Sequence, residues 1–246
     1  MDRKSSRLKR FIEWGRANAN PAAREYVSRA LQGDSTSIKN LFDRLSRKER
    51  ARFTLEMYRK NAPYFPFAYF LRYTWIYSWY WLIAAAGNYP TVIEMFRFAK
   101  FPIPENLGPT VKAYRGTNGI SAYESAATGM SWSLNRDIAC HHACDDPLGL
   151  SDGAPLVIEA EIPREHILMH TSWGAFFNEI TVVPIAANPS IDFRVSRPID
   201  DWAEGNSRYL AVMDTAKTLI EKRGNTLSPA EHDERRATID SLLGDS

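Results

Sequence analysis

Cysteine is nearly absent from this chain: Cys140 and Cys144 are the two in 246 residues. Four apart on a predicted helix, they are badly placed to bond each other, so neither a disulfide scaffold nor an oxidising compartment is implied. Long apolar runs are lacking too. The most hydrophobic, YTWIYSWYWLIAAAG at residues 73–87, has 15 residues, whereas a membrane span takes about 20. A buried aromatic helix is expected there, and no stable membrane association. Glycine-rich phosphate loops of the G-x-G-x-x-G or G-x-x-x-x-G-K-[ST] form do not occur, which leaves Rossmann and P-loop readings unsupported. The opening MDRKSSRLKRFIEWGR has the charge of a secretion signal but no apolar core after it, so a cytoplasmic protein is expected. The chain has no internal repeat and no low-complexity tract.

What remains is an ordinary globular balance, 44% hydrophobic and 24% charged, enough for one domain with extensions or two small ones. Net charge is only +2, but it is unevenly spread: residues 1–60 carry 16 Lys and Arg against 7 Asp and Glu, and the other 186 carry 15 against 22. A basic first third on an acidic body is suited to attract a polyanion or an acidic protein; a solvated helical surface is the plainer alternative.

Residues 4–60 read as helices. Pro21 after Asn20 marks one start, and Ser35-Thr36-Ser37 offers N-caps for a segment in which Ile38, Leu41, Phe42, Leu45 and Phe53 recur at helical spacing. Pro63 and Pro66 break the pattern, and aromatic-rich helices follow to about 99. The connector FPIPENLGP at 101–109 is a domain boundary by composition. Beyond it come short strands, TVKAYRGT (110–117), MSWS (130–133), PLVIEAEI (155–162), EITVVPI (179–185) and IDFRVS (191–196), with helices expected at 121–127 and 136–144. After Asp200 the pattern turns helical again, and Ser228-Pro229-Ala230-Glu231 is a capping box opening a last helix. The expected organisation is a helical region at 1–108, a core at 109–204 and a helical tail at 205–246.

Three islands carry chemistry. Tyr114-Arg115-Gly116 closes the first strand. Ser131-Trp132-Ser133 is the second, its serines on one face and Trp132 on the other. Asn178-Glu179 leads the strand EITVVPI. Arg, then Ser-x-Ser, then Glu, each on a short strand, resembles the arginine–serine–glutamate class of the ADP-ribosyltransferase superfamily, over about residues 110–198. The resemblance implies an α+β core of two small packed β-sheets and a glycosyltransferase reaction that cleaves the nicotinamide–ribose bond of NAD through an oxocarbenium-like transition state.

By the same resemblance the catalytic residues are Glu179, Arg115 and Ser131. The dinucleotide contacts come from Tyr114, Arg115, Gly116, Ser131, Ser133 and Phe177. Arg115 would clamp phosphate and ribose oxygens as a planar fork, and Gly116 would let its backbone approach the nicotinamide amide. Ser131 would steady the ribose side, Ser133 would also buttress the fold, and Glu179 would hold the ribose 2′-hydroxyl and stabilise developing positive charge. Family members that modify arginine carry Glu or Gln two residues before the catalytic Glu. Phe177 stands there, which tilts the acceptor toward nucleic acid, RNA ahead of protein; a core role for Phe176 and Phe177 is the plainer reading. Compact enzymes of this type resemble toxins of toxin–antitoxin and phage-defence systems, so an antitoxin-type inhibitor is a candidate partner. NAD hydrolysis without a specific acceptor and a non-catalytic interaction module are the alternatives.

Cys140-His141-His142-Ala143-Cys144 has metal-binding residue types, but at most three of its side chains converge on a helix, and zinc needs a fourth ligand. No metal is expected, and both thiols read as small helix residues. His166 and His170 in REHILMH read as structural, and Trp173 as a packing residue.

Overall fold

The computed structural model describes residues 3–118, 129–144, 155–173, 177–184, 194–198 and 201–223. It divides into two compact units, Met1–Phe101 and Pro102–Ser246. The boundary falls inside the connector at 101–109, seven residues before the expected split at 108/109. Arg164 donates to the carbonyls of Ile103 and Glu105 at 2.8 and 3.0 Å, which ties the connector to the second unit.

The first unit holds seven α-helices among the described residues: α1 (Arg3–Asn18), α2 (Pro21–Arg24), α3 (Val27–Leu31), α4 (Ser35–Arg44), α5 (Arg47–Arg59), α6 (Tyr64–Ala86) and α7 (Tyr89–Ala99). Their ends follow local chemistry. Asn20 caps α2 through the Ala23 N–H, with Pro21 at the first helical position. Ser46 and Glu49 cap α5 reciprocally. Asn88 caps α7, and Gly87, at φ 83°, closes α6 in the left-handed region where a side chain is disfavoured. The serine–threonine cluster expected to cap α4 is instead its first turn; Asp34 accepts from the Ser37 N–H at 2.9 Å. Pro66 does not break α6 but sits in its first turn, where a proline costs no helical hydrogen bond.

The stripe Phe67, Phe70, Leu71, Thr74, Trp75, Ser78 and Leu82 of α6 is buried. Phe70 packs against Phe42 of α4 and Phe53 of α5. Ile38, Leu41, Phe42, Leu45 and Phe53 all lie in this core, as their spacing predicted. Among the described residues no helix is long and apolar enough to cross a membrane.

The second unit is α+β. Its strands are β1 (Thr110–Thr117), β2 (Ser131–Ser133), β3 (Leu156–Pro163), β4 (Ile167–Trp173), β5 (Phe177–Val182) and β6 (Arg194–Pro198), with helices α8 (Arg136–Cys144) and α9 (Trp202–Arg223). The described strands form one antiparallel sheet in the order β4-β5-β2-β1-β3-β6. This corrects the expectation of two packed sheets. The reason lies in the middle of the order. β1 and β2 are joined through the single register pair Tyr114↔Ser133, whereas β1 and β3 pair along eight positions. That one junction makes two three-stranded halves into a continuous sheet.

β4 was not among the expected strands; it pairs with β5 from Ile167↔Val182 to Trp173↔Phe177, with a register shift between Ile167 and Met169. The start of the expected tail belongs to this unit, because α9 packs on α8. A Cβ on Gly205 would come within 2.5 Å of Cys140 Sγ, and Arg208 grips the buried Asp137 carboxylate with Nε at 3.0 Å and Nη2 at 2.7 Å. His141 stacks on Tyr209 at 4.3 Å. The expected helix at 121–127, residues 191–193 of IDFRVS and the capping box at 228–231 lie outside the described residues.

Candidate active site

The register of the sheet assembles the site. Reading across the strands, Thr171, Glu179, Ser133, Tyr114 and Glu159 are directly opposed pair by pair. Opposed residues share a face, so Glu179, Ser133 and Tyr114 lie in one row on one side of the sheet. Ser131, two residues before Ser133, shares that side.

Helix α8 covers the same side. Tyr114 packs against Ala139, Cys140, Ala143 and Val157. At Gly116 the helix comes closer still: an added Cβ would meet the Ala139 carbonyl oxygen at 1.8 Å and the Ala143 nitrogen at 2.7 Å. The missing side chain of Gly116, assigned from the sequence to a close approach of nicotinamide, makes room for this helix. The turn into α8 is built from the serine strand. Ser133, buried, accepts from the Asn135 N–H at 3.0 Å, and Asn135 Oδ1 accepts from the Asp137 and Ile138 N–H groups at 2.8 and 3.2 Å. Ser133 therefore buttresses the fold, as expected, with its hydroxyl directed into this turn.

Arg115 stands one residue after Tyr114, so alternation sends it to the opposite side of β1, opposite Ile158. It is half-buried. Beyond the Tyr114↔Ser133 pair, Arg115 spans from β1 to the head of β2: its Nη1 donates to the Ser131 carbonyl at 2.6 Å. The guanidinium also lies directly over Gly129, where an added Cβ would come within 1.9 Å of Cζ. The arginine thus straps the two halves of the sheet together at the junction where their pairing is thinnest. The sequence predicted a ligand clamp at Arg115; it did not predict this main-chain partner.

Glu179 sits on β5 with about a quarter of its side chain accessible (29%), and its Oε1 lies 3.3 Å from Nε2 of His142 on α8. His142 is the site residue that sequence reasoning passed over, having weighed it only beside the cysteines. A signal was there. Ala139 and Ala143 form the small-residue face of a helix that must lie close on a sheet, and a residue three after Ala139 borders that face. Asn178, beside Glu179, accepts from His170 Nε2 through Oδ1 at 2.8 Å, which supports the structural reading of His170. Phe177 takes the first position of β5 opposite Trp173; the side chains of both lie outside what the structure describes.

The two thiols differ. Cys140 is fully buried beneath α9, and burial pushes its pKa up to about 11; burial also raises that of Cys144. Thiols held protonated in this way are poor nucleophiles and poor metal ligands.

The arrangement places the carboxylate of β5, with accessible oxygens, and a half-exposed serine of β2 on one face of the sheet, with an imidazole of α8 beside the carboxylate and the guanidinium of β1 on the other face. Chemically it can bind a hydroxyl-rich ligand, stabilise positive charge beside Glu179 and pass a proton through His142. Comparison with protein-family models, with curated proteins and with solved structures gives no match to this chain.

Proposed function

We propose that the chain is an NAD-dependent mono-ADP-ribosyltransferase of toxin-like type, with the core of that superfamily in its second unit. The observation that supports this most is the strand order β5-β2-β1, which brings Glu179 and Ser131 from distant parts of the chain to one face of the sheet, beside the junction that Arg115 straps from the other face. In this reading Glu179 holds the ribose 2′-hydroxyl and stabilises the charge that develops as nicotinamide departs. Ser131 supports the ribose side. Arg115, from the other face of the sheet, keeps the head of β2 in place through Nη1. His142 holds Glu179 in orientation.

The acceptor is a macromolecule, with RNA ahead of protein, because Phe177 stands where a carboxylate or amide would be needed to orient an arginine. An antitoxin-type inhibitor fits the same reading.

Labelled NAD in a cell lysate, followed by separate nuclease and protease digestion, tests it. Macromolecular label that resists protease and yields to nuclease is expected; the reverse pattern places the acceptor among proteins. Free ADP-ribose with no labelled macromolecule makes the chain an NAD glycohydrolase. Glu179→Gln keeps the shape of the side chain and removes its charge, and it should lower NAD consumption by about a hundredfold or more. Equal NAD consumption by the wild type and this variant would refute the assignment.

A further inference from the structure

Helix α6 shows a second surface that the transferase reading does not use. Tyr69, Tyr73 and Tyr77, spaced four apart, form a ladder along its flank: the Tyr69 and Tyr73 ring centroids are 4.4 Å apart with planes tilted by 45°, and those of Tyr73 and Tyr77 are 6.2 Å apart with planes within 12° of parallel. Non-helical backbone at Ser78 kinks the helix there. Just beyond the kink, Tyr80 and Trp81 add two more rings, 5.5 Å apart and tilted by 40°. Tyr77, Trp79 and Tyr80 expose 42%, 49% and 43% of their surface, more than aromatic residues normally leave to water.

The neighbouring edge of α5 is cationic. Lys48 Nζ lies 5.9 Å from the centre of the Trp81 ring, and Arg50, which donates to the Phe42 carbonyl at 2.8 Å, lies over the Phe42 ring beside the ladder. Two acids lie nearby, and each has a partner, Asp43 acting also on Arg50, Tyr69 and Tyr77. Asp43 pairs with Lys39 at 2.7 Å, and Glu49 is held by the N-terminal cap of its own helix. Among the described residues Arg47 and Lys48, both exposed, have no ion-pair partner. Burial pushes the Tyr69 phenol up to about 12 and raises that of Tyr77, so these two phenols stay uncharged at physiological pH.

Flat aromatic faces in a row beside unneutralised cations match the two halves of a nucleotide strand: bases stack on rings, and phosphates pair with charges. We propose that this flank of α6, with Arg47 and Lys48, binds single-stranded nucleic acid. Charge complementarity and ring alignment argue for this occupant over a protein surface, which needs no cationic rail, and over a lipid bilayer, which needs no stacked ladder. The inference concerns the first unit alone and holds whether or not the second unit turns over NAD.

Fluorescence anisotropy of the full chain with a fluorescein-labelled RNA 12-mer, without NAD, is the test. Binding at 50 mM salt should weaken about tenfold at 200 mM, the loss expected for two or three phosphate contacts on a single strand. Arg47→Ala with Lys48→Ala, on exposed positions, should remove most of that salt dependence. Tyr77→Leu keeps an apolar side chain but loses the ring, and should weaken binding about tenfold while keeping the salt slope. Unchanged far-ultraviolet circular dichroism establishes that each variant is folded. No binding at 50 mM salt, wild-type affinity in both variants, or binding to anionic phospholipid vesicles that the RNA does not compete with would each overturn the proposal.

Discussion

Replacing Gly116 by alanine should loosen the second unit and its site together. The added methyl carbon would sit 1.8 Å from the Ala139 carbonyl oxygen and 2.7 Å from the Ala143 nitrogen. Both are helix backbone, so no side-chain rotation relieves the overlap. Ordinary carbon–oxygen contact is well beyond 3 Å, so α8 must retreat by more than 1 Å or β1 must bend. Overpacking of this kind costs about 1–3 kcal/mol, and contact with rigid backbone places Gly116→Ala at the upper end. For a unit of this size that corresponds to a melting temperature lower by roughly 6–12 °C.

The same retreat carries His142 away from Glu179, whose 3.3 Å contact has little length to spare before it ceases to be a hydrogen bond. Thermal unfolding by circular dichroism measures the first effect, and NAD consumption well below the variant's melting temperature measures the second. An unchanged melting temperature would refute the close crossing of α8 over β1. A lowered melting temperature with full NAD turnover would refute the link from that crossing to Glu179.

Gly129→Ala is the informative contrast. Its new methyl would strike the far end of the Arg115 side chain, which can swing aside, so stability should fall by about 1 kcal/mol or less, while loss of the Arg115–Ser131 strap should lower NAD turnover at least tenfold. Steady-state kinetics beside a melting curve separates the two. Arg208→Ala should cost about 3 kcal/mol in a urea titration, because it leaves the buried Asp137 carboxylate without its two-pronged partner; adding Asp137→Asn should recover part of the loss. With a disulfide reagent at pH 8, Cys144 should react in the native protein and Cys140, held protonated to about 11 beneath α9, only after denaturant. Two equally fast thiols would contradict the packing of Gly205 on Cys140.

The elements whose boundaries are set by local chemistry were legible from residues alone. Asn20-Pro21, the strand TVKAYRGT and the helix at 136–144 fall where caps and alternation place them. β4 was not legible, because ILMHTSW runs three apolar residues into three polar ones instead of alternating, and pairing with β5 defines it. The single sheet was hidden for a related reason: whether two groups of strands join depends on one pair across β1 and β2, a long-range contact that no local pattern encodes.

In the site, Arg115, Ser131 and Glu179 could be picked out by residue type and order. The reason for Gly116 could not. Sequence marks a position that tolerates no side chain, but it does not say whether ligand or helix occupies the space.

A sheet whose two halves meet at one rung bends most easily along that line, since few hydrogen bonds resist folding there, like a book at its spine. The arginine stands on one page and the glutamate on the other. Small flexing at the spine therefore leaves every other strand pairing intact, and the clasp that limits it is the bond from that arginine to the Ser131 carbonyl on the facing page.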